Sequence, residues 1–205
     1  MELTDCNNRA ELMGVIESAP CFSHEIYGEA FYLFILCVPR LSGVSDHIRI
    51  IVSERILADC ELEIGDSVCI YGQFRSYNAC DNGTSRLILS VFARDIIPAE
   101  EAEEMKNPNL LYLNGFVCKE PVYRTTPFGR EICDLLLAVN RTYNKSDYIP
   151  IIAWGRNARF CRHITVGSNI KIWGRIQSRV YQKRICDEQT VEKTAYEVSV
   201  CRMEM

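Results

Sequence analysis

An internal repeat of about one hundred residues constrains the fold of this chain more than any other feature. Gly14 matches Gly115 at an offset of 101, and Gly72 matches Gly174 at an offset of 102, so one residue has been inserted between the two pairs. Further ordered matches at these offsets pair Pro20 with Pro121, Val38 with Val139, Arg40 with Arg141, Asp46 with Asp147, Gly65 with Gly167 and Ser76 with Ser178. An ordered set with a nearly constant offset predicts two copies of one domain.

An acidic stretch bounded by Pro98 and Pro108 separates the two copies. Proline and clustered charge at such a position indicate a linker, and a short surface helix would also fit. We therefore predict a first domain over 1–98, a linker over 99–108 and a second domain over 109–205.

Both copies show the same succession of alternating apolar segments. In the second copy the predicted strands are 110–118, 131–140, 147–154, 169–181 and 194–202, with a helix over 156–163. In the first copy they are 9–17, 29–38, 46–52, 67–77 and 85–97, with a helix over 53–61 for which Ser53 is the expected N-cap. Three strands, a helix and two strands are the order of an OB-type barrel. The sequence thus predicts an all-β protein of two tandem five-stranded OB-fold barrels, each with one short helix.

The two halves carry opposite net charge. Residues 1–106 hold 8 Lys and Arg against 18 Asp and Glu, a net of −10, whereas residues 107–205 hold 15 against 9, a net of +6. Because the signs differ, the halves are expected to have different functions, with any anionic ligand on the second.

The cysteines favour neither zinc nor disulfides. There are 11 of them, and no two are spaced as C-x-x-C, the close pairing typical of zinc sites. We interpret them as small core residues, exemplified by Cys37, Cys69 and Cys133.

The N-terminus lacks the features of a signal peptide, and no apolar run is long enough to cross a membrane. The expected location is the cytoplasm, and no cofactor or metal is expected.

Aromatic and basic residues alternate with apolar ones on two strands of the second copy. One face of the fourth strand carries Lys171, Trp173, Arg175, Gln177, Arg179 and Tyr181. The third strand places Tyr148 and Trp154 on a common face. Rings offer stacking surfaces to bases, and basic groups attract phosphates, so this pattern is typical of single-strand binding. From the pattern alone, Trp154 fits a core position equally well, Trp173 fits an oligomer contact equally well, Tyr148 fits a barrel edge, and the arginines fit a solvated face.

The second copy also resembles the bacterial single-stranded DNA-binding protein family. The matching stretches are 111–115, 120–124, 126–129, 137–141, 147–155 and 174–179, and the most specific is Asp-Tyr-Ile-Pro followed by Ala-Trp-Gly within 147–155. The resemblance implies base stacking on Tyr143, Tyr148, Trp154 and Tyr181. It implies phosphate contacts at Arg124, Arg141, Arg156 and Arg179.

The chain departs from the family pattern in two ways. Family members carry a flexible tail whose acidic end recruits other proteins, and this sequence ends close to the last predicted strand, so recruitment of that kind is not expected. In the first copy, Ser42, His47 and Ser53 occupy the places of Tyr143, Tyr148 and Trp154. With its net charge of −10, the first copy is expected to repel phosphate and to serve packing or assembly.

No enzyme motif competes with this interpretation: the sequence contains no phosphate-binding G-x-x-x-x-G-K-[ST] loop, no G-x-S-x-G and no H-E-x-x-H. The leading hypothesis is a non-enzymatic, sequence-tolerant binder of single-stranded DNA in replication, repair or recombination, associated with the nucleoid. Family members usually assemble four OB domains, which a homodimer of this chain would supply. A primosome-type accessory or protein-interaction scaffold is the alternative, and RNA in place of DNA remains open.

Overall fold

The computed structural model describes residues 7–81, 84–100, 107–186 and 189–205. The first half contains β1 (Asn8–Ile16), β2 (Cys21–Ile26), β3 (Glu29–Pro39), β4 (Ser45–Ser53), α1 (Glu54–Asp59), β5 (Ser67–Asp81) and β6 (Thr84–Pro98). The second half contains β7 (Asn109–Val117), β8 (Val122–Thr125), β9 (Glu131–Asn140), β10 (Ser146–Trp154), α2 (Gly155–Cys161), β11 (Asn169–Cys186) and β12 (Gln189–Glu204). The two halves thus repeat the same order of elements.

Each half closes into a barrel because its first strand bonds to two neighbours. Strand β1 pairs with both β3 and β5, and β7 pairs with both β9 and β11. The circuit is completed by a parallel pairing, β4 with β6 in the first barrel and β10 with β12 in the second. The prediction of two tandem OB-fold barrels is therefore confirmed.

The barrel interiors are filled by the alternating apolar residues of the strands. Leu111, Leu113 and Val117 of β7 are all at most 2% exposed, and so are Ile170 and Ile172 of β11. Each such side chain contributes roughly 1.5–3 kcal/mol to folding by leaving water. Alternation places the intervening residues of the same strands outside, which is what makes an outer binding face available.

A repeated glycine allows the first strand of each barrel to cross its neighbour closely. A Cβ atom added to Gly115 would lie 2.5 Å from the carbonyl oxygen of Ala138, and one added to Gly14 would lie 2.4 Å from that of Cys37. No side chain fits at that distance, so these matching glycines follow from barrel closure.

The two barrels join into one sheet through their first strands. β1 and β7 run antiparallel, with Asn8 opposite Leu113 and Leu12 opposite Asn109, and the result is a continuous sheet of twelve strands over the described residues. The six strands β6, β5, β1, β7, β11 and β12 lie side by side across the junction. The arrangement has an approximate two-fold relation between the halves.

Two buried aspartates also tie each barrel to the long hairpin of the other, which is β5–β6 in the first barrel and β11–β12 in the second. Asp46 accepts a hydrogen bond from the backbone N–H of Ser178 at 2.7 Å, and Asp147 accepts one from the backbone N–H of Ser76 at 2.7 Å. Both carboxylates are completely buried, and each is paired with an arginine of its own barrel, Arg40 and Arg141 respectively. The matching Arg, Asp and Ser positions of the repeat therefore form the domain interface.

Several predicted boundaries differ from the structure. Strands β2 and β8 were not predicted because they are short, lie at the two edges of the sheet and are mostly exposed, so they show no apolar alternation. Strands β11 and β12 extend beyond the predicted 169–181 and 194–202, because their distal parts form a hairpin outside the barrel. Helix α1 is shorter than the predicted 53–61, and Ser53 stands at its N-cap position without a side-chain capping hydrogen bond. Part of the linker predicted over 99–108 lies outside the described residues.

The cysteines divide between core and surface. Cys69, Cys133 and Cys161 are buried, Cys37 is only half-buried, and Cys21 and Cys201 are exposed, so the core interpretation holds for only some of them. Burial raises the pKa of Cys161 to about 12, which keeps that thiol protonated.

Within the ranges described, no helix has the length and apolarity needed to span a membrane.

Candidate nucleic-acid interface

The four aromatic side chains predicted to stack on bases are all open to solvent. Tyr143 is 93% exposed, Tyr148 45%, Tyr181 39% and Trp154 37%. A ring packed in the core has an exposed fraction near zero, as Phe34 and Phe74 do. All four rings therefore have a face or an edge available to a ligand.

Strand β10 sets the spacing of two of these rings. Tyr148 and Trp154 lie near its two ends on the outer face, about 20 Å apart along an extended strand. Pro150 and Ile152 lie between them on the same face, and Ile152 is only 6% exposed. The outer face of β10 is thus an apolar strip with an exposed ring at either end.

The turn between β9 and β10 presents Tyr143 in an unusual backbone conformation. Tyr143 and Asn144 have φ of 61° and 54°, in the left-handed region that residues other than glycine seldom adopt. The turn is closed by a hydrogen bond from the Arg141 N–H to the Lys145 carbonyl at 2.7 Å. In the first barrel the place of Asn144 is taken by Gly43, with φ of 80° and no such strain. The turn thus presents the Tyr143 ring to solvent.

The four predicted phosphate contacts fall into two groups. Arg156 and Arg179 are exposed on α2 and β11. Arg124 is exposed and binds Asp134 through Nε at 2.8 Å, whereas the side chain of Arg141 is only 30% exposed and binds buried Asp147 at 3.2 Å. Arg124, Arg156 and Arg179 can reach a ligand, while Arg141 is engaged in the domain interface.

Two carboxylates lie among the arginines of this face. Besides Asp134, Glu197 of β12 is close enough to Arg179 and Arg124 for their charges to act on it. Burial raises the pKa of the Glu197 carboxyl, Arg179 opposes that rise, and Asp134 adds to it. These carboxylates compete with phosphate for the same guanidinium groups, and sequence reasoning missed both. The only available signal was the alternation that places Asp134 and Glu197 on the outer face.

Glu197→Gln is expected to tighten oligonucleotide binding about two- to fivefold at low salt, because it removes a carboxylate that opposes phosphate. A raised pKa keeps more of the carboxyl protonated as the pH falls, so wild-type affinity should rise from pH 7 toward pH 5, and the variant should lose the Glu197 part of that rise. Fluorescence anisotropy with a labelled oligonucleotide measures both effects. Glu61→Gln, an exposed change of the same charge in the first barrel, is the control. Equal tightening by both variants would contradict a local effect.

The counterparts of these rings in the first barrel do not form a similar surface. His47 takes the place of Tyr148, and its Nδ1 lies 2.7 Å from the Glu17 carboxylate. Ser53, in the place of Trp154, is 8% exposed, and Ser42, in the place of Tyr143, is exposed without a ring. The aromatic and basic outer face over β8–β12 belongs to the second barrel.

Trp173 lies on β11, whereas Trp154 lies at the end of β10. Trp173 projects from the outer face of the six strands at the domain junction, with its ring centroid 5.2 Å from that of Tyr112 and the Arg202 guanidinium 4.8 Å above it. Leu110 and Phe116 of β7 are exposed on the same face, at 40% and 43%.

The part of the chain that the structure describes contains no group of three His, Cys, Asp or Glu residues placed to hold a metal ion.

Fold and site together define a tandem OB-fold protein with exposed rings beside guanidinium groups on its second barrel. The model of the single-strand binding protein family matches residues 108–205. The chain is 35% identical over 83 residues to single-stranded DNA-binding protein 1 of Staphylococcus aureus, a match covering 37% of this chain and 50% of that protein. It is 34% identical over 78 residues to the replication restart protein PriB of Yersinia enterocolitica, covering 34% of this chain and 74% of that protein. This chain belongs to the single-strand binding protein family.

A solved structure with the same fold extends the likeness to both barrels. The wild-type single-stranded DNA-binding protein of Thermus aquaticus aligns over 96% of this chain and 91% of its own, with a TM-score of 0.75 and 21% identity. At that identity the likeness concerns the fold alone. The chain spans about half the length of most of the curated single-stranded DNA-binding proteins that it matches.

Proposed function

We propose that this chain binds single-stranded DNA with little sequence preference, without being an enzyme, and acts in DNA replication, repair or recombination in the cytoplasm at the nucleoid. The observation that carries the proposal is the exposure of four rings, Tyr143, Tyr148, Trp154 and Tyr181, on one basic barrel. Every base has a stacking face, so such a surface tolerates any sequence.

The charges around the rings supply the second part of the interaction. Arg124, Arg156 and Arg179 lie on the same barrel as the rings, and the half that holds them has a net charge of +6. Phosphate neutralisation by such groups releases counterions, so affinity falls steeply with salt. The acidic first barrel contributes no comparable positive surface, and we assign binding to the second.

The experiment is a binding titration of the full chain with a labelled dT-rich oligonucleotide, followed by fluorescence anisotropy at about 50 and 200 mM salt. We expect tight binding at low salt that weakens by more than tenfold at high salt. Competition by unlabelled double-stranded DNA and by matched RNA determines the class of nucleic acid. Absence of binding at low salt, or equal competition by duplex DNA, would contradict the proposal.

We also propose that two copies of the chain form a homodimer through the outer face of the six strands at the domain junction. That face holds a concavity of about 1250 Å³ lined by Leu110, Tyr112, Phe116 and Trp173 together with charged residues such as Lys171. Apolar and aromatic residues with a charged rim are typical of a protein interface. Sedimentation is expected to give twice the chain mass of 23.5 kDa. A monomer at the concentrations used for binding would contradict the dimer.

A replication-restart accessory function is the second candidate. It is favoured by the 34% identity to a replication restart protein, 74% of which this chain covers. In that case the junction face would bind another replication protein. A monomeric chain that binds DNA weakly and regardless of salt would favour it.

A further inference from the structure

The first barrel contacts the second at the strand that carries Tyr148. Strand β10 is bonded to β9 along its whole length, with Tyr148 opposite Ala138. On its other edge it pairs with β12 only at Ile151 and Ile152. Near Tyr148 that second edge faces the long hairpin of the first barrel.

Ser76 of β5 completes this edge. Its Oγ accepts the backbone N–H of Tyr148 at 2.7 Å, and its own N–H donates to Asp147 Oδ1, also at 2.7 Å. Ser76 is only 8% exposed and Asp147 is completely buried, so water does not readily replace either bond. A single residue of the first barrel therefore holds two consecutive residues of β10.

The charges around this contact also come from both barrels. Asp147 binds Arg141 of its own barrel at 3.2 Å. Arg75, the neighbour of Ser76, is near enough to Arg141 and Asp147 for their charges to act on it, and its guanidinium stacks over the Phe92 ring at 4.5 Å. The segment before Tyr148 is thus held partly by Arg141 of its own barrel and partly by groups of the first barrel.

We infer that Ser76 is a positioning residue of the single-strand site: it holds the backbone of Tyr148 so that the ring is oriented for stacking. This inference rests on the proposed function and gives the first barrel a part in binding although it lacks the rings. Tyr143 lies in the turn just before β10, so the same contact also restrains the end of the strand to which that turn is joined. The isolated second barrel would lack this restraint.

The repeat supplies a matched control at Ser178. Its Oγ accepts the N–H of His47 at 3.0 Å, and its N–H donates to Asp46, so it makes the same contact toward the barrel without the rings. Ser76→Ala and Ser178→Ala each remove one hydroxyl acceptor and leave the bond from the backbone N–H to the aspartate. Ser178→Ala also removes a hydrogen bond of 3.3 Å from its hydroxyl to Asp46 Oδ1, so it should cost at least as much stability, but only Ser76→Ala should weaken binding.

The test is a double-mutant cycle on the full chain, with dT-rich oligonucleotide affinity as the readout. Ser76→Ala is expected to weaken binding about three- to tenfold, which is the scale of one hydrogen bond. In a Tyr148→Ala background the same change should have less than about a twofold effect, since the ring it positions is absent. Ser76→Thr keeps an Oγ on a residue suited to strands, and it should bind as the wild type does.

The inference would be overturned by equal losses from Ser76→Ala and Ser178→Ala, by an undiminished loss in the Tyr148→Ala background, or by no loss at all. Weakening by Ser76→Thr as large as that by Ser76→Ala would also contradict it, because packing and not the hydrogen bond would then be responsible. Failure of the proposed function is a separate result, since it appears as absent binding by the wild type before any substitution is compared.

Discussion

Trp154→Ala is expected to weaken binding of single-stranded DNA by about 1–3 kcal/mol while the barrel stays folded, because each base stacked on a ring contributes about that much. Trp154 is 37% exposed at the end of β10, so its removal takes away a stacking surface and leaves the core residues of that strand in place. Tyr181→Ala, on the extension of β11, should act in the same direction and by a similar amount. Oligonucleotide titrations at fixed salt measure both losses, and circular dichroism checks the fold.

Ser42→Ala is the control for these substitutions. Ser42 is exposed in the first barrel at the place that corresponds to Tyr143, and its replacement should change affinity by less than about twofold. If substitutions in the two barrels weakened binding equally, the assignment of the site to the second barrel would be wrong.

Asp46→Ala is expected to lower the free energy of unfolding by about 3–5 kcal/mol, the range typical of removing one partner of a buried ion pair. The Asp46 carboxylate is completely buried and accepts hydrogen bonds from Arg40 Nε and the Ser178 N–H, both at 2.7 Å. The bond with Asp46 raises the pKa of Arg40, and without the carboxylate the guanidinium would lose its counter-charge. Arg175 of the other barrel, 3.6 Å from the same carboxylate, would also lose a partner.

Denaturant unfolding of the wild type and the variant measures this loss. Asp59→Ala, an exposed change on α1, removes the same charge from the same barrel and is expected to cost less than about 0.5 kcal/mol. A loss from Asp46→Ala no larger than that control would show that the contact between barrels contributes little to stability.

The repeat made most of the fold predictable. Glycines and other residues at matching offsets identified the two copies, and the alternation of Leu111, Leu113 and Val117 identified a barrel face that the structure shows as buried. The edge strands β2 and β8 could not be found in the same way, because an exposed edge strand has no buried face to produce alternation.

The candidate site was only partly readable from the sequence. Rings at Tyr143 and Trp154 were assigned from the resemblance, because alternation alone gives no distinction between a stacking tryptophan and a core one. The involvement of Arg141 with buried Asp147, and of Ser76 with Tyr148, depends on how two barrels meet. Ser76 and Tyr148 are 72 positions apart and belong to different copies, so no local pattern encodes their contact. Arg141 and Asp147 are only 6 positions apart in one copy, but the sequence does not show that Asp147 also binds Ser76 of the other barrel. The matching Ser76 and Ser178 of the repeat were visible, but their function was not.

The most direct measurement is a comparison of two single-tryptophan proteins, because the chain has only two tryptophans and they lie on different strands. Trp173→Phe retains Trp154 in the proposed site, and Trp154→Phe retains Trp173 at the domain junction. On titration with dT-rich oligonucleotide at low salt, we expect strong quenching of Trp154 that is reversed by added salt, and little change at Trp173. Unchanged Trp154 fluorescence at saturating oligonucleotide, or quenching confined to Trp173, would contradict the account.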